Sequence, residues 1–109
     1  MPRKRRFFLP GIPAHIVQRG RSRQPVFFAD DDYQAYLHWL AEAGERYKCA
    51  IHAYVLMTNH VHILATPRES GGLSQMMQYL GRRYVPYINR RYGMSGSIWE
   101  GRYKASLVD

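Results

Sequence analysis

Cysteine is nearly absent from this chain: Cys49 stands alone, so no intramolecular disulfide framework can hold the fold. Acidic residues are also scarce, with eight Asp and Glu against sixteen Lys and Arg, a formal charge of +8 and an isoelectric point near 10.0. An excess of that size favours a polyanionic partner, with nucleic acid first among the candidates. No apolar run is long enough to cross a bilayer. The opening Arg3-Lys4-Arg5-Arg6 is followed by Phe7-Phe8-Leu9, but Pro10 and Pro13 cut that run short of an export signal. Internal repeats, low-complexity tracts and Gly-rich phosphate loops are missing, which excludes solenoids and P-loop nucleotide chemistry. A soluble cytoplasmic protein is the expectation. With 109 residues, 46% of them hydrophobic, the chain has material for one core, and residues 1–109 are read as a single domain.

What is present centres on Met57-Thr58-Asn59-His60-Val61-His62-Ile63-Leu64-Ala65-Thr66. Side chains alternate along a strand, so His60 and His62 share one face about 7 Å apart, where two imidazoles can converge on one ion. The same spacing also fits an ordinary half-polar strand. The preceding run, Cys49 to Met57, is β-rich and should form a hairpin with the His60 strand through Thr58-Asn59. A two-residue loop sets Met57 opposite His60 and Val55 opposite His62, and sends His52 to the other face as a structural residue. A three-residue loop would bring His52 over.

Around this hairpin the other elements fall in order. Met1 to Pro13 reads as a basic, proline-punctuated arm that could track phosphates or simply be solvated. His15 to Arg19 is a first strand ended by Gly20, and Arg19, Arg21 and Arg23 cluster at its end. From Asp30, the apolar period of Tyr33, Tyr36, Leu37, Leu40, Ala41, Gly44 and Tyr47 predicts a helix, with Asp31 and Gln34 as a capping box. Leu73, Met76, Met77, Leu80, Tyr84, Tyr87 and Ile88 predict a second helix, bent or ended near Tyr84 by Pro86. Its far side carries Arg82, Arg83, Arg90 and Arg91 among tyrosines, a mixture suited to phosphates and unpaired bases, or to a plain solvated face. Ser97 to Val108 reads as one or two short strands. Strand, helix, strand, strand, helix, strand is the order of an α+β, ferredoxin-like antiparallel sheet with two main helices.

Three stretches then carry a resemblance over nearly the whole chain: Tyr54 through Leu64 with its Asn-His-Val-His, Tyr84 through Gly96, and Ile98-Trp99-Glu100-Gly101-Arg102-Tyr103-Lys104. In these the sequence resembles the single-tyrosine HUH transposases of the insertion-sequence-200 type, in particular the REP-associated tyrosine transposase branch. The resemblance implies an HUH core in which His60 and His62 hold a divalent cation, manganese or magnesium, against the scissile phosphate. It further implies that a tyrosine hydroxyl attacks that phosphate, leaving a phosphotyrosine and a free hydroxyl for rejoining. Imidazole ligands suit manganese better than magnesium. The expected DNA-contacting set is Arg19, Arg21, Arg23, Arg82, Arg83, Arg90, Arg91, Arg102 and Lys104, the partner being single-stranded or hairpin DNA.

One departure matters. In the resembled family the nucleophilic tyrosine lies on a helix after the last strand, and no tyrosine here matches it. The nucleophile, with a further metal ligand, is therefore expected beyond Asp109, and this chain alone is expected to be inactive. Val55 and Met57 would then lie uncovered, with a second copy, as a homodimer, the expected cover. The alternative is a non-catalytic module that binds single-stranded nucleic acid by stacking, with both histidines merely packed.

Overall fold

The computed structural model describes residues 9–108. The basic run at residues 3–6 and most of the expected N-terminal arm lie outside them. What is described of that arm, Leu9–Pro13, lies against the third strand, with the Gly11 amide donating to the Pro67 carbonyl at 2.8 Å.

Six main elements follow the expected order. They are β1 (Ala14–Arg19), α1 (Asp30–Arg46), β2 (Cys49–Met57), β3 (His60–Pro67), α2 (Gly72–Tyr92) and β4 (Lys104–Leu107). A single 3-10 turn, Arg21–Arg23, follows β1. The strands form one antiparallel sheet in the order β2-β3-β1-β4, the ferredoxin-like arrangement, and both helices pack on one side of it.

Period-two alternation decides which side. In β3, Val61, Ile63 and Ala65 are fully buried while His60, His62, Leu64 and Thr66 between them are only half-buried. Ala14 and Ile16 of β1 join the buried set. Against this face α1 presents Tyr36, Leu40 and Ala43, and α2 presents Leu73, Met76, Leu80, Tyr84 and Ile88. Each such side chain contributes roughly 1.5–3 kcal/mol by leaving water, so the stripe sets the packing of both helices.

Three local expectations change. α2 does not stop near Tyr84 but runs through Pro86 to Tyr92. Pro86 is exposed, so the carbonyl that loses its amide partner faces water, and buried Tyr84 and Ile88 pin the helix on either side. α1 starts at Ala29 rather than on an Asp31–Gln34 box: Asp32, three residues on, accepts from the amides of Phe28 at 2.8 Å and Ala29 at 3.1 Å. The C-terminal stretch pairs only over Lys104–Leu107, with Trp99 making an isolated bridge to Gly20.

Candidate nucleic-acid and metal site

The face of the sheet away from the helices is uncovered among the described residues. The β2–β3 hairpin has the two-residue connection: Met57 pairs with His60 and Val55 with His62. On the other side of β3, Arg19 pairs with His60 and Val17 with His62, while Lys104 of β4 pairs with Val17. Two rows therefore cross the open face, Met57–His60–Arg19 and Val55–His62–Val17–Lys104. The His60 and His62 rings stand 5.2 Å apart, centroid to centroid, at 77° to each other.

A third histidine joins them. His15 lies one pair further along β1, opposite Leu64, and its Nε2 is 3.0 Å from His62 Nδ1. Sequence reasoning took His15 only as a strand residue. Its signal was there, since positions 15, 17 and 19 share a face that alternates with buried Ala14 and Ile16. Asn59, in the turn before β3, accepts from His60 Nδ1 at 2.8 Å. Burial, then the charges of His15, His60 and Arg19, lowers the pKa of His62 and favours its neutral, ligating form.

The expected opposite placement of His52 is wrong, although the hairpin register behind it is right. Ile51 pairs with Ala65 but Ala53 pairs with Leu64, so His52 is the extra residue of a β-bulge. It lands on the open side, where its Nε2 meets Thr66 Oγ1 at 2.7 Å. That contact, rather than the face it occupies, separates it from the other histidines.

Beside His60 a polar cleft of about 400 Å³ is lined by Arg19, Gly20, Arg23, Asn59 and Glu100. A smaller recess lined by Val17, Arg19, Glu100, Arg102 and Lys104 shares two of those residues. Four of the nine expected DNA-contacting residues thus border one groove next to the histidine rows, with Glu100 as its acid. Gly20 is needed there: a Cβ would run into the Gln24 carbonyl, and its amide donates to the Asn59 carbonyl at 2.8 Å. Arg21 sits exposed on the 3-10 turn.

The α2 arginines are not part of this groove. They belong to the helix layer on the other side of the sheet. Arg91 reaches Asp31 at 3.5 Å, Asp32 at 3.8 Å and the Tyr87 hydroxyl at 2.8 Å. Arg83 lies 4.6 Å over the Tyr79 ring, whose hydroxyl donates to Glu42. Arg82 and Arg90 are exposed and make no ion pair among the described residues.

All nine tyrosines fall within the described residues, and none stands on the histidine face. Seven are on α1, α2 or the turn after α1, and Tyr103 is buried with its hydroxyl 2.8 Å from Ser74 of α2. Tyr54 pairs with Ile63, in the half of the alternation that faces the helices.

The family model described as IS200-like transposase matches residues 9–109. The chain belongs to the IS200-like transposases. Among solved structures, a REP-associated tyrosine transposase bound to a REP hairpin superposes with a TM-score of 0.68 at 18% identity, covering 100% of this chain and 63% of that one. This chain thus spans less than two thirds of that transposase. A protein of Deinococcus radiodurans R1 assigned as a transposase gives a TM-score of 0.71 at 18% identity, covering 99% of this chain and 87% of that one. Comparison with curated proteins gives no match. Membership supports a transposase-type, DNA-processing role, and no helix among the described residues is long and apolar enough to cross a membrane.

Whether the transposase fold offers a cation a seat depends on the donors at hand. No cluster of three or more His, Cys, Asp or Glu among the described residues is grouped around one point. Each of the two imidazoles engages its Nδ1 within the protein, which leaves Nε2 as the nitrogen it could offer to an ion. Remaining positions would fall to oxygen donors, phosphate among them.

Proposed function

We propose that this chain is the HUH-type core, over residues 1–109, of a metal-dependent transposase that cleaves and rejoins single-stranded or hairpin DNA through a phosphotyrosine. The observation that carries this reading is the placement of His60 and His62 on the uncovered sheet face beside a groove edged by Arg19, Arg23, Arg102 and Lys104. Those four bases would hold the backbone of a strand and bring one phosphate to the histidines. His60 and His62 would hold a divalent ion, manganese or magnesium, which supplies Lewis-acid neutralisation of charge on the phosphoryl oxygens. The attacking hydroxyl is not one of the nine tyrosines described, none of which shares that face. In this reading it belongs to a segment following Asp109.

The site of action is the cytoplasm, and a second copy covers Val55 and Met57, which are 53% and 47% exposed. Arg21 and the α2 arginines serve as outlying phosphate contacts. The alternative, a module binding bases by stacking alone, lacks its main requirement. No Phe, Tyr or Trp among the described strand residues points to the open face.

Calorimetric titration with Mn²⁺ tests the reading. The parent chain should bind, and His60→Ala or His62→Ala should weaken binding at least tenfold while His52→Ala leaves it unchanged. Absence of binding by the parent, or equal losses at all three positions, would overturn it.

A further inference from the structure

The two histidines of the pair are not equally free to choose which nitrogen carries a proton. The Asn59 side chain donates from Nδ2 to the Arg23 carbonyl at 3.3 Å, which settles which end of its amide is which. Its Oδ1 therefore faces His60 Nδ1 at 2.8 Å and can only accept. His60 must carry its proton on Nδ1, and its Nε2 keeps a lone pair.

His62 meets a different partner, one that can either donate or accept. The His15 and His62 planes differ by 10° and their centroids are 5.2 Å apart, while His15 Nε2 and His62 Nδ1 are 3.0 Å apart. That centroid separation is close to the N–N distance plus one ring radius at each end. The rings therefore meet edge to edge, nearly coplanar, rather than face to face. This geometry aims a ring N–H along the lone pair of the other nitrogen. One proton occupies the contact. If His15 supplied it, the neutral His62 would carry its own proton on Nε2 and lose the lone pair that faces outward.

We propose that His15 and Asn59 are positioning residues that hold His62 and His60, respectively, in the Nδ1–H form, so that both rings turn an Nε2 lone pair toward one divalent cation. The inference rests on the metal-binding reading above and adds to it the residues that make the pair competent. Hydrogen-bonded partners of this kind fix tautomer and ring orientation, and their removal typically costs about 10–100-fold in metal affinity. His15 itself is no ligand in this arrangement, because its Nε2 is spent on His62.

The test begins without metal. Long-range proton–nitrogen correlation spectra of the ¹⁵N-histidine-labelled full chain, taken where the imidazoles are neutral, report the tautomer of each ring directly. His60 and His62 should both appear as Nδ1–H. His15→Phe should move His62 toward the Nε2–H form that free imidazole prefers and leave His60 alone. His15→Gln, whose amide oxygen can accept, should restore Nδ1–H. Asn59→Ala should do to His60 what His15→Phe does to His62.

Calorimetry with Mn²⁺ gives the second readout. His15→Phe should weaken binding about tenfold at an unchanged melting temperature, with most of the loss recovered in His15→Gln. An Nε2–H signal from His62 in the parent overturns the positioning role whatever the metal does. So does a His15→Phe spectrum identical to the parent's. Nδ1–H signals in a parent that binds no Mn²⁺ would uphold the tautomers and overturn the metal reading instead.

Discussion

Tyr84 of α2 donates its hydroxyl to the Val26 carbonyl at 2.5 Å, inside the core. The Val26 amide donates in turn to the Thr58 carbonyl at 2.8 Å, in the turn that leads into His60. A buried helix residue is thereby linked, through one residue of the segment before α1, to the loop that carries Asn59. Tyr84→Phe keeps the ring and strands the Val26 carbonyl, so it should cost about 1–3 kcal/mol. For a domain of this size that is a fall of at least several degrees in melting temperature, about 4–8 °C per kcal/mol. Thermal unfolding followed by circular dichroism checks it, and an unchanged midpoint would show that the bond contributes nothing.

Asp32 should make stability depend on pH in the acid range. Burial alone would raise its pKa, but the hydrogen bonds from Tyr92, Phe28, Tyr87 and Ala29 outweigh that and hold it below the ordinary value. Tyr92 is closest, at 2.6 Å. A folded-state pKa below the unfolded one means that the stabilisation is complete above about pH 4 and is lost as pH falls through the folded value. Asp32→Asn should therefore be clearly less stable than the parent at neutral pH, with the gap narrowing below about pH 4. Melting curves of both proteins across that range decide it, and a gap that stays constant would remove the carboxylate as its cause.

The two basic regions lie on opposite sides of the sheet, so they can be tested separately. Each phosphate contact on a single strand contributes about 0.7 to the slope of log affinity against log salt. Replacing Arg19, Arg23 and Lys104 by Gln should lower the slope by about 2 and weaken binding to a single-stranded oligonucleotide. Replacing Arg82 and Arg90 should lower it by about 1.4 if the helix layer also meets phosphates. Binding isotherms at several salt concentrations supply both slopes. No change in the second variant would leave α2 as a solvated face.

At Gly20 the demand is for space rather than for an unusual backbone angle. Gly20→Ala would drive a Cβ into the Gln24 carbonyl, whereas Gly93→Ala meets no atom within 4 Å and suffers only from its φ of +64°. The first should cost more than the roughly 1–2 kcal/mol expected for the left-handed conformation alone. Chemical denaturation of the two variants gives the comparison. Equal costs would mean that the Gly20 segment shifts freely.

Incubation of this chain with Mn²⁺ and labelled DNA should yield no phosphotyrosine adduct, because no tyrosine described lies on the histidine face within the roughly 3–3.5 Å that in-line attack requires. A labelled protein band on a denaturing gel would contradict this. Light scattering at high protein concentration should show a mass above that of one chain, since Tyr54, Val55 and Met57 are each about half exposed. A strictly monomeric mass would leave those side chains to a different cover.

Periodicity carried most of the fold. The burial of alternate residues in β3 and of the Leu73–Ile88 stripe follows from spacing alone, as does the pairing of Met57 with His60 once the turn is two residues long. What spacing could not supply was anything set by a single long-range contact. Pro86 reads as a helix end in any local argument, yet Tyr84 and Ile88 are buried and keep the helix whole. His15 is 47 residues from His62 in sequence, and only the sheet brings them together. The α2 arginines show the converse limit. Composition marks them as phosphate-binding, but which side of the sheet they occupy is a property of the assembled layers.

The bulge at His52 bears on how this strand tolerates change in length. β2 carries one residue more than its ladder with β3 requires, and the surplus is taken up between Ile51 and Ala53. Deleting His52 would restore a regular alternation on both sides without moving Val55 or Met57 relative to the histidines. Deleting Tyr54 would also consume the bulge, but by setting Ala53 opposite Ile63 and His52 opposite Leu64, so that an alanine takes the tyrosine's place on the helix side. The bulge thus works as a slack joint: one residue lost between Ile51 and Val55 is absorbed before it reaches the histidine rows, while a loss between Val55 and His60 displaces the rows themselves.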